Sequence, residues 1–172
     1  HEVGPEPLPG TVKIEHMFPM RSLDKGVSDD DIIHFVTQST FGGNRYLGQP
    51  KLDGSALSLE YVAGNLHRAA TRGSGERGED VTLNAKLVAN VPLRLNVAVD
   101  CHVRGEVVMP LATFEEKYRE ISPNPRNLCS GALRQKHGDG KADASDLIFQ
   151  AYDVKFPKES PDIQNDSELL SW

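Results

Sequence analysis

Gln49-Pro-Lys-Leu-Asp-Gly54 leads directly into the alternating segment Ser55-Ala-Leu-Ser-Leu-Glu-Tyr61, and together these two stretches set the expected fold. The alternation puts two leucines and the tyrosine on one side, as in a β-strand with one buried face. Ala63-Gly64-Asn65 then predicts a hairpin turn, with glycine where a positive φ is needed. Leu66 to Arg72 would form the returning strand, so we expect Arg72 to come back towards Lys51.

Lys51 is the candidate reactive residue of this region, because it stands two positions before Asp53-Gly54. A lysine amine is a poor nucleophile while protonated, and a good one where desolvation or neighbouring cations lower its pKa. Gly54 permits a sharp turn or the close approach of a ligand. Lys-x-Asp-Gly alone is more often a solvated charge at the end of a strand, so its interpretation depends on the motifs that come later in the chain.

These later motifs occur in a fixed order, and they are much more specific as a set than Lys-x-Asp-Gly alone. They are Ala70-Thr-Arg-Gly-Ser-Gly-Glu-Arg-Gly-Glu-Asp-Val-Thr-Leu-Asn84, Val103-Arg-Gly-Glu-Val107, Asn124-Pro-Arg-Asn127 and Gly131-Ala-Leu-Arg-Gln135. The set resembles the adenylation (nucleotidyltransferase) domain of NAD-dependent bacterial DNA ligases, from about His16 to about Tyr152. The resemblance implies an α+β nucleotidyltransferase fold, in which antiparallel sheets flank a nucleotide cleft and helices surround them.

The resemblance also implies an activity. Lys51 would attack the α-phosphate of NAD, expel nicotinamide mononucleotide and form a lysine–AMP phosphoramide, with Mg²⁺ as the metal. The AMP would pass to the 5′-phosphate of a nick in duplex DNA, and the 3′-hydroxyl would then displace it, during replication and repair. A cytoplasmic, nucleoid-associated location is expected with this activity.

Eight further positions match functional residues of the family. Arg72 matches a nucleotide-binding arginine, and Glu106 matches the acid that contacts the ribose. Without the resemblance, Glu106 could instead form a strand-surface ion pair with Arg104. The other matches are Ser22 and Leu23 beside the adenine, Gln49 and Leu52 near the base, and Arg126 and Arg134 at the DNA phosphates, which could otherwise be a solvated helix face.

Other segments carry local signals for helices and strands. Ser28 precedes three aspartates, which suits a helix N-terminus, and Thr113-Phe-Glu-Glu116 predicts a capping box before a helix from Phe114 to Ile121. The helix predictions are an apolar face at Ile32, Ile33, Phe35 and Val36, a short helix over Asp80–Val88, a helix opened by Pro123-Asn-Pro-Arg-Asn127 and a further helix near Leu169, Leu170 and Trp172. Strands are predicted over His102–Val108 and Leu147–Tyr152.

Composition favours one globular domain, with 38% hydrophobic and 26% charged residues in 172 positions. We expect residues 1–12 to be a flexible lead-in and residues 13–172 to form the adenylation domain, incomplete at its C-terminal end. No apolar run approaches the ~20 residues of a membrane helix. Cys101 and Cys129 lack metal-ligand spacing and predict reduced, buried thiols, although a bridge between them stays open.

Charge is unevenly distributed along the chain, whose net charge is −6. Residues 1–39 hold 3 Lys+Arg and 7 Asp+Glu, residues 141–172 hold the same numbers, and residues 40–140 hold 13 and 11. The middle of the chain is therefore slightly basic between acidic ends. This distribution permits local phosphate contacts through arginines and does not predict strong nonspecific DNA binding.

Three departures from the family pattern keep other functions open. Gln49 stands where the family usually has a glutamate that contacts adenine, and the link between Ile121 and Asn124 is short, through a deletion or through residues left out of this numbering. The sequence stops at Trp172, before two later motifs, so we expect that it cannot complete nick sealing alone. The alternatives are an ATP-dependent nucleotidyltransferase and a non-catalytic module that binds nucleotide or nicked DNA.

Overall fold

A computed structural model describes residues 12–38, 46, 48–136 and 140–157 of the chain. The expected lead-in, apart from its last residue, and the expected C-terminal helix near Leu169 lie outside these residues. Within them, no helix is long and apolar enough to cross a membrane.

A four-stranded antiparallel sheet forms the centre of the described structure. Its strands are β2 (Ser55–Val62), β3 (Asn65–Thr71), β5 (Cys101–Val108) and β6 (Ile148–Lys155), in the spatial order β3-β2-β5-β6. The predicted hairpin is confirmed, because β2 pairs with β3 and both turn residues have positive φ, 47° at Ala63 and 76° at Gly64. Two such residues suit a two-residue turn that follows the twist of the strands.

The two faces of this sheet differ in chemistry, because side chains alternate along each strand. The face that carries Leu57, Leu59 and Tyr61 is buried in the hydrophobic core. The opposite face carries Glu60 and Arg68, which lie 2.5 Å apart across the β2–β3 pair. The predicted alternation in β2 is confirmed, because Leu57, Leu59 and Tyr61 are buried while Glu60 is partly exposed.

A second sheet consists of two short strands. Its strands are β1 (Lys13–Glu15) and β4 (Arg77–Glu79), which pair antiparallel. The turn before β4 contains Gly73 and Gly75, both with positive φ. Because a Cβ at Gly73 would lie 2.0 Å from the carbonyl oxygen of Arg77, only glycine fits in this turn.

In the part of the chain that the structure describes, four α-helices accompany the sheets: α1 (Asp29–Gln38), α2 (Thr82–Ala85), α3 (Leu111–Lys117) and α4 (Pro125–Arg134). Helix α4 packs on the apolar face of the sheet through Leu128, Cys129, Ala132 and Leu133. The helix begins within Pro123–Asn127 as predicted, and the Asn124 side chain caps it by accepting a hydrogen bond from the Asn127 N–H at 3.0 Å. Helix α4 therefore joins the core to the polar edge of the domain.

The capping-box prediction at Thr113 is wrong. Helix α3 begins at Leu111, because Pro110 occupies the cap position and its carbonyl oxygen accepts the Phe114 N–H at 2.9 Å. Thr113 therefore lies inside the first turn, and the helix ends at Lys117 rather than at Ile121. The helix predicted within Asp80–Val88 is also shorter than expected, since α2 has four residues.

Helix α1 forms as predicted, but its apolar face stays largely exposed, with a tilted contact between the Phe35 and Tyr46 rings, whose centroids are 6.1 Å apart. None of its residues is buried, and Ile32 and Phe35 are 61% and 65% exposed. Its start is fixed locally, because the Asp31 carboxylate accepts hydrogen bonds from the backbone of Val27 and Ser28. The hydrogen bonds that define the start of this helix therefore come from neighbouring residues in the chain.

Candidate functional site

The loop that carries Lys51 is fixed at Gly54. The Gly54 N–H donates to Oε1 of Glu106 at 3.1 Å, and a Cβ on Gly54 would lie 2.0 Å from the carbonyl oxygen of Val107. Ser55 then begins β2 opposite Val107. The loop is therefore held by its backbone, while the Lys51 side chain stays exposed.

Glu106 is the centre of the local charge distribution. It is half-buried on β5, and burial raises its pKa. The Gly54 N–H and the positive charges of Lys51, Arg126 and Arg72 act in the opposite direction. One carboxylate thus stands within electrostatic reach of three cations from three separate segments.

Arg72 reaches this region because the hairpin returns it, as predicted. Its backbone N–H donates to the carbonyl oxygen of Ala56 at 3.3 Å, just beyond the end of β3. Its own carbonyl oxygen accepts the Gly75 N–H at 3.0 Å, and the His16 ring lies 3.3 Å from the same oxygen. The turn after β3 therefore fixes the backbone that carries the Arg72 guanidinium.

Arg126 lies at the N-terminal end of α4 and contacts the Lys51 loop directly. Its Nη1 is 3.1 Å from Oδ1 of Asp53, and both side chains are largely exposed, at 64% and 73%. Because exposed ion pairs contribute little energy, the Arg126 guanidinium remains available for an incoming anion.

Arg134 lies at the other end of α4 and has a different environment. Its Nε is 2.7 Å from Oε2 of Glu79, and the Arg134 side chain is 20% exposed. The structure therefore does not bring Arg134 to the Lys51 loop; it brings Arg134 to β4, the strand that comes after the Arg72 turn.

The four residues expected at the base lie on exposed surface near the loop and near the N-terminal segment. Leu23 is 86% exposed and comes after Met20, whose backbone N–H donates to the Gly75 carbonyl oxygen at 2.8 Å. The others are Ser22, Gln49 and Leu52, all of them exposed.

The strand-surface pair between Glu106 and Arg104 does not form. Arg104 instead lies 3.4 Å from Asp153 on β6, and its Nη2 donates to the carbonyl oxygen of Phe18 at 2.5 Å. Glu106 is therefore left to Gly54 and to the three cations around it.

Two residues near the site were missed by sequence reasoning. Tyr152 lies near Glu106, since partial burial raises the pKa of its hydroxyl and the negative charge of Glu106 adds to that rise. The β5–β6 register shifts between Arg104 and Gly105, so alternation along the strand could not have assigned Tyr152 to a face. Glu79 was missed as well, because a single glutamate in a glycine-rich run carries no signal of burial.

Both cysteines are buried in the core. Burial raises the pKa of the Cys101 thiol and of the Cys129 thiol to about 11. The charges of Glu106 and Asp53 add to the rise at Cys129, so this residue lies beneath the site. A thiol with such a pKa is a poor nucleophile at neutral pH.

A lysine and two arginines around one carboxylate, on the polar face of an antiparallel sheet, make a site suited to an anionic, phosphate-bearing ligand. The chain belongs to the family of NAD-dependent DNA ligase adenylation domains, whose model matches residues 10–172.

Relatives of this family are DNA ligases from distant organisms. The chain is 43% identical to a DNA ligase of Natronomonas pharaonis over 152 residues, covering 77% of this chain and 22% of that protein. It is 43% identical over 143 residues to a DNA ligase of Halalkalibacterium halodurans, and 41% identical over 168 residues to one of Alcanivorax borkumensis. The match to the Halalkalibacterium ligase covers 77% of this chain and 21% of that protein, and the match to the Alcanivorax ligase covers 88% of this chain and 21% of that protein. The chain therefore spans about a fifth of the length of these relatives.

Proposed function

We propose that residues 13–172 form a nucleotidyltransferase-fold domain that transfers AMP from NAD to nicked duplex DNA, as part of DNA ligation in replication and repair in the cytoplasm. The observation that carries the proposal is the convergence of Lys51, Arg72 and Arg126 on the half-buried Glu106. Family membership supplies NAD as the donor of AMP.

In this proposal Lys51 is the nucleophile. Its Nζ, after loss of a proton, forms a bond to the α-phosphorus of NAD as the bond from that phosphorus to nicotinamide mononucleotide breaks. Arg72 offsets the negative charge that develops on the phosphate oxygens, which is the usual contribution of a fixed cation to phosphoryl transfer. The exposed side chain of Lys51, on a loop held at Gly54, gives the amine access to the phosphorus.

Glu106 has two roles in the proposal. One oxygen holds the Lys51 loop through the Gly54 N–H. The other oxygen is proposed to accept a hydrogen bond from the ribose. Ser22, Leu23, Gln49 and Leu52 are proposed to surround the adenine, where the nearby ring of Tyr152 offers an additional apolar surface.

Mg²⁺ is proposed to bind at the carboxylates of this site. The described residues contain no cluster of three or more His, Cys, Asp or Glu that could hold a metal, but Mg²⁺ usually binds through one or two carboxylates together with substrate phosphates. The negative charges of Asp53 and Glu106 both raise the pKa of the Cys129 thiol, so the two carboxylates lie on the same side of the domain. Because both oxygens of Glu106 already have a role, Asp53 would hold the ion, which would neutralise phosphate charge.

Arg126 is proposed to bind a DNA phosphate beside the nick. Its partner in the free protein is an exposed aspartate, and an exposed pair of this kind is worth about 0.2–1 kcal/mol. A phosphate can replace that carboxylate at small cost, because the guanidinium fork matches phosphate oxygens equally well.

Intact-mass spectrometry after incubation with NAD and Mg²⁺, and separately with ATP and Mg²⁺, tests the proposal. We expect a mass gain of one AMP with NAD alone, lost in Lys51→Arg, which keeps the charge but not the nucleophile. Lys86→Ala, at another exposed lysine, is the matched control and should be adenylylated normally.

Other outcomes would point to the alternatives. A gain with ATP alone would assign the chain to the ATP-dependent class. Saturable NAD binding by calorimetry without any adduct would indicate a non-catalytic nucleotide-binding module.

A further inference from the structure

Glu79 is a buried carboxylate to which the proposed function gives no role. It is the last residue of β4, and only 1% of its surface is exposed. Its backbone N–H donates to Oγ1 of Thr71 at 3.0 Å, which fixes it beside the residue that precedes Arg72. A charged side chain is almost never buried to this degree unless it is paired.

This carboxylate forms an ion pair with Arg134. The 2.7 Å distance between Arg134 Nε and Glu79 Oε2 is that of a close ion pair, although these two atoms are not aligned as a hydrogen bond. Among the ion pairs of the described residues, this one has the most buried carboxylate side chain, at 2% exposure. The pair Glu15–Arg77, on the neighbouring strands, is exposed at 75% and 61%.

Helix α4 does not require this ion pair in order to stay on the sheet. Leu128, Cys129, Ala132 and Leu133 already bury its inner face. Its C-terminal end is also held by Asn84, whose Nδ2 donates to the carbonyl oxygens of Leu133 and Gln135 at 2.8 and 2.6 Å. Because buried ion pairs are weak contributors to stability compared with apolar packing, the pair requires another explanation.

We propose that Glu79 is a positioning residue that holds the Arg134 guanidinium in place for a phosphate of bound nucleic acid. A guanidinium has five N–H donors in a rigid plane, so a carboxylate on one side leaves donors on the other side for phosphate oxygens. Arg134 keeps 20% of its side chain exposed for that contact. Fixing the guanidinium before binding reduces the rotamer entropy that binding would otherwise cost.

This proposal rests on the proposed function, because it requires the chain to bind DNA, and the salt dependence of that binding tests it. Log K falls linearly with log salt, and each phosphate contact contributes about 0.9 to the magnitude of that slope for B-DNA, which is the quantity compared among the variants. Fluorescence anisotropy with a labelled nicked duplex that carries a 5′-phosphate gives this slope for each variant. We expect Arg134→Met and Glu79→Gln to lower the slope by the same amount, about 0.9, and the double variant to lower it no further.

The direction in which Glu79→Gln changes DNA affinity distinguishes a positioning role from a simple effect of net charge. Removing an acidic residue makes the chain less negative, which by itself strengthens binding to DNA. Glu15→Gln, which removes the same charge from the exposed pair on β1, is the matched control and should bind slightly more tightly with an unchanged slope. Glu79→Gln should bind more weakly despite the same change in charge.

Variants are compared at a temperature where circular dichroism shows each to be folded. Glu79→Asp, which keeps the charge, should recover part of the lost slope and provides a second variant should Glu79→Gln not fold. A lowered slope in Arg134→Met with an unchanged slope in Glu79→Gln would overturn the proposal, since Arg134 would then bind phosphate unaided. Unchanged slopes in both would overturn it too, because Arg134 would not be a phosphate ligand.

The failure of the proposed function has a different signature. It would appear as equal affinity of the unmodified chain for nicked and intact duplexes. Absence of any salt-dependent binding by the unmodified chain would overturn both proposals together.

Discussion

The two ends of α4 carry the same chemistry in opposite environments. At the N-terminal end, Arg126 pairs with Asp53, and both side chains are more than 60% exposed. At the C-terminal end, Arg134 pairs with Glu79, whose side chain is 2% exposed. The two arginines are eight residues apart, and sequence analysis predicted the same role for both.

The difference shows that burial, not residue type, decides what an ion pair does. An exposed pair is screened by water and is easily exchanged for another anion. A buried pair cannot be broken without leaving a charge away from water, so its members are fixed in place. The N-terminal end of α4 is therefore suited to exchange, and the C-terminal end to orientation.

The largest effect is expected for Arg134→Met, which leaves the buried Glu79 carboxylate without its arginine. Breaking a buried pair by removing one member typically costs about 3–5 kcal/mol of unfolding free energy. Urea unfolding followed by circular dichroism measures this cost. Arg77→Met, in the exposed pair with Glu15, is the control and should cost less than about 1 kcal/mol.

A cost for Arg134→Met as small as that of the control would remove the distinction between the two environments. It would mean that the Glu79 carboxylate remains stabilised once the arginine is gone.

An intermediate, pH-dependent effect is expected for Glu106→Gln. Burial raises the folded-state pKa of Glu106 above its ordinary value of 4.5, so the folded protein holds this proton more tightly than the unfolded chain. The stability that comes from the bound proton is present at low pH and is lost as the pH rises from about 4.5 through the folded-state pKa. Glutamine keeps an acceptor for Gly54 without the charge, so the variant should be more stable than the unmodified chain at neutral pH.

Denaturant unfolding at a series of pH values checks this prediction, with the advantage of Glu106→Gln shrinking towards zero below about pH 4.5. An advantage independent of pH would show that the charge of Glu106 is not its source.

The smallest effect on stability is expected for Asp53→Asn, at the exposed end of α4. Loss of this pair should change the unfolding free energy by about 1 kcal/mol or less. Thermal unfolding at low and high salt measures the change, which should be smaller at high salt because exposed charges are screened. Glu115→Gln, in the exposed pair with Arg119, is a control of matched exposure. A loss several times larger than in this control would place Asp53–Arg126 in the same class as the buried pair.

Local signals predicted the elements well where each segment contains its own determinants. The Ala63-Gly64 turn, the alternation of β2 and the start of α4 within Pro123–Asn127 depend on a few neighbouring residues, and all three are confirmed. The Thr113 capping box failed because the preceding Pro110 already ended the extended chain. Pro110 and Thr113 both carry a local signal for the start of a helix, and the helix begins after the proline, whose φ is fixed by its ring.

The sequence by itself determined the hairpin, the order of the motifs and the membership of the family, because each depends on residue identity along a short stretch of chain. Only the tertiary structure decided which charges meet. The packing of α4 brings together Asp53 with Arg126 and Glu79 with Arg134. The distance and burial of each pair depend on how α4 packs against the core. Sequence spacing cannot predict an ion pair between distant segments. Its energy depends on how far the tertiary structure removes the two charges from water.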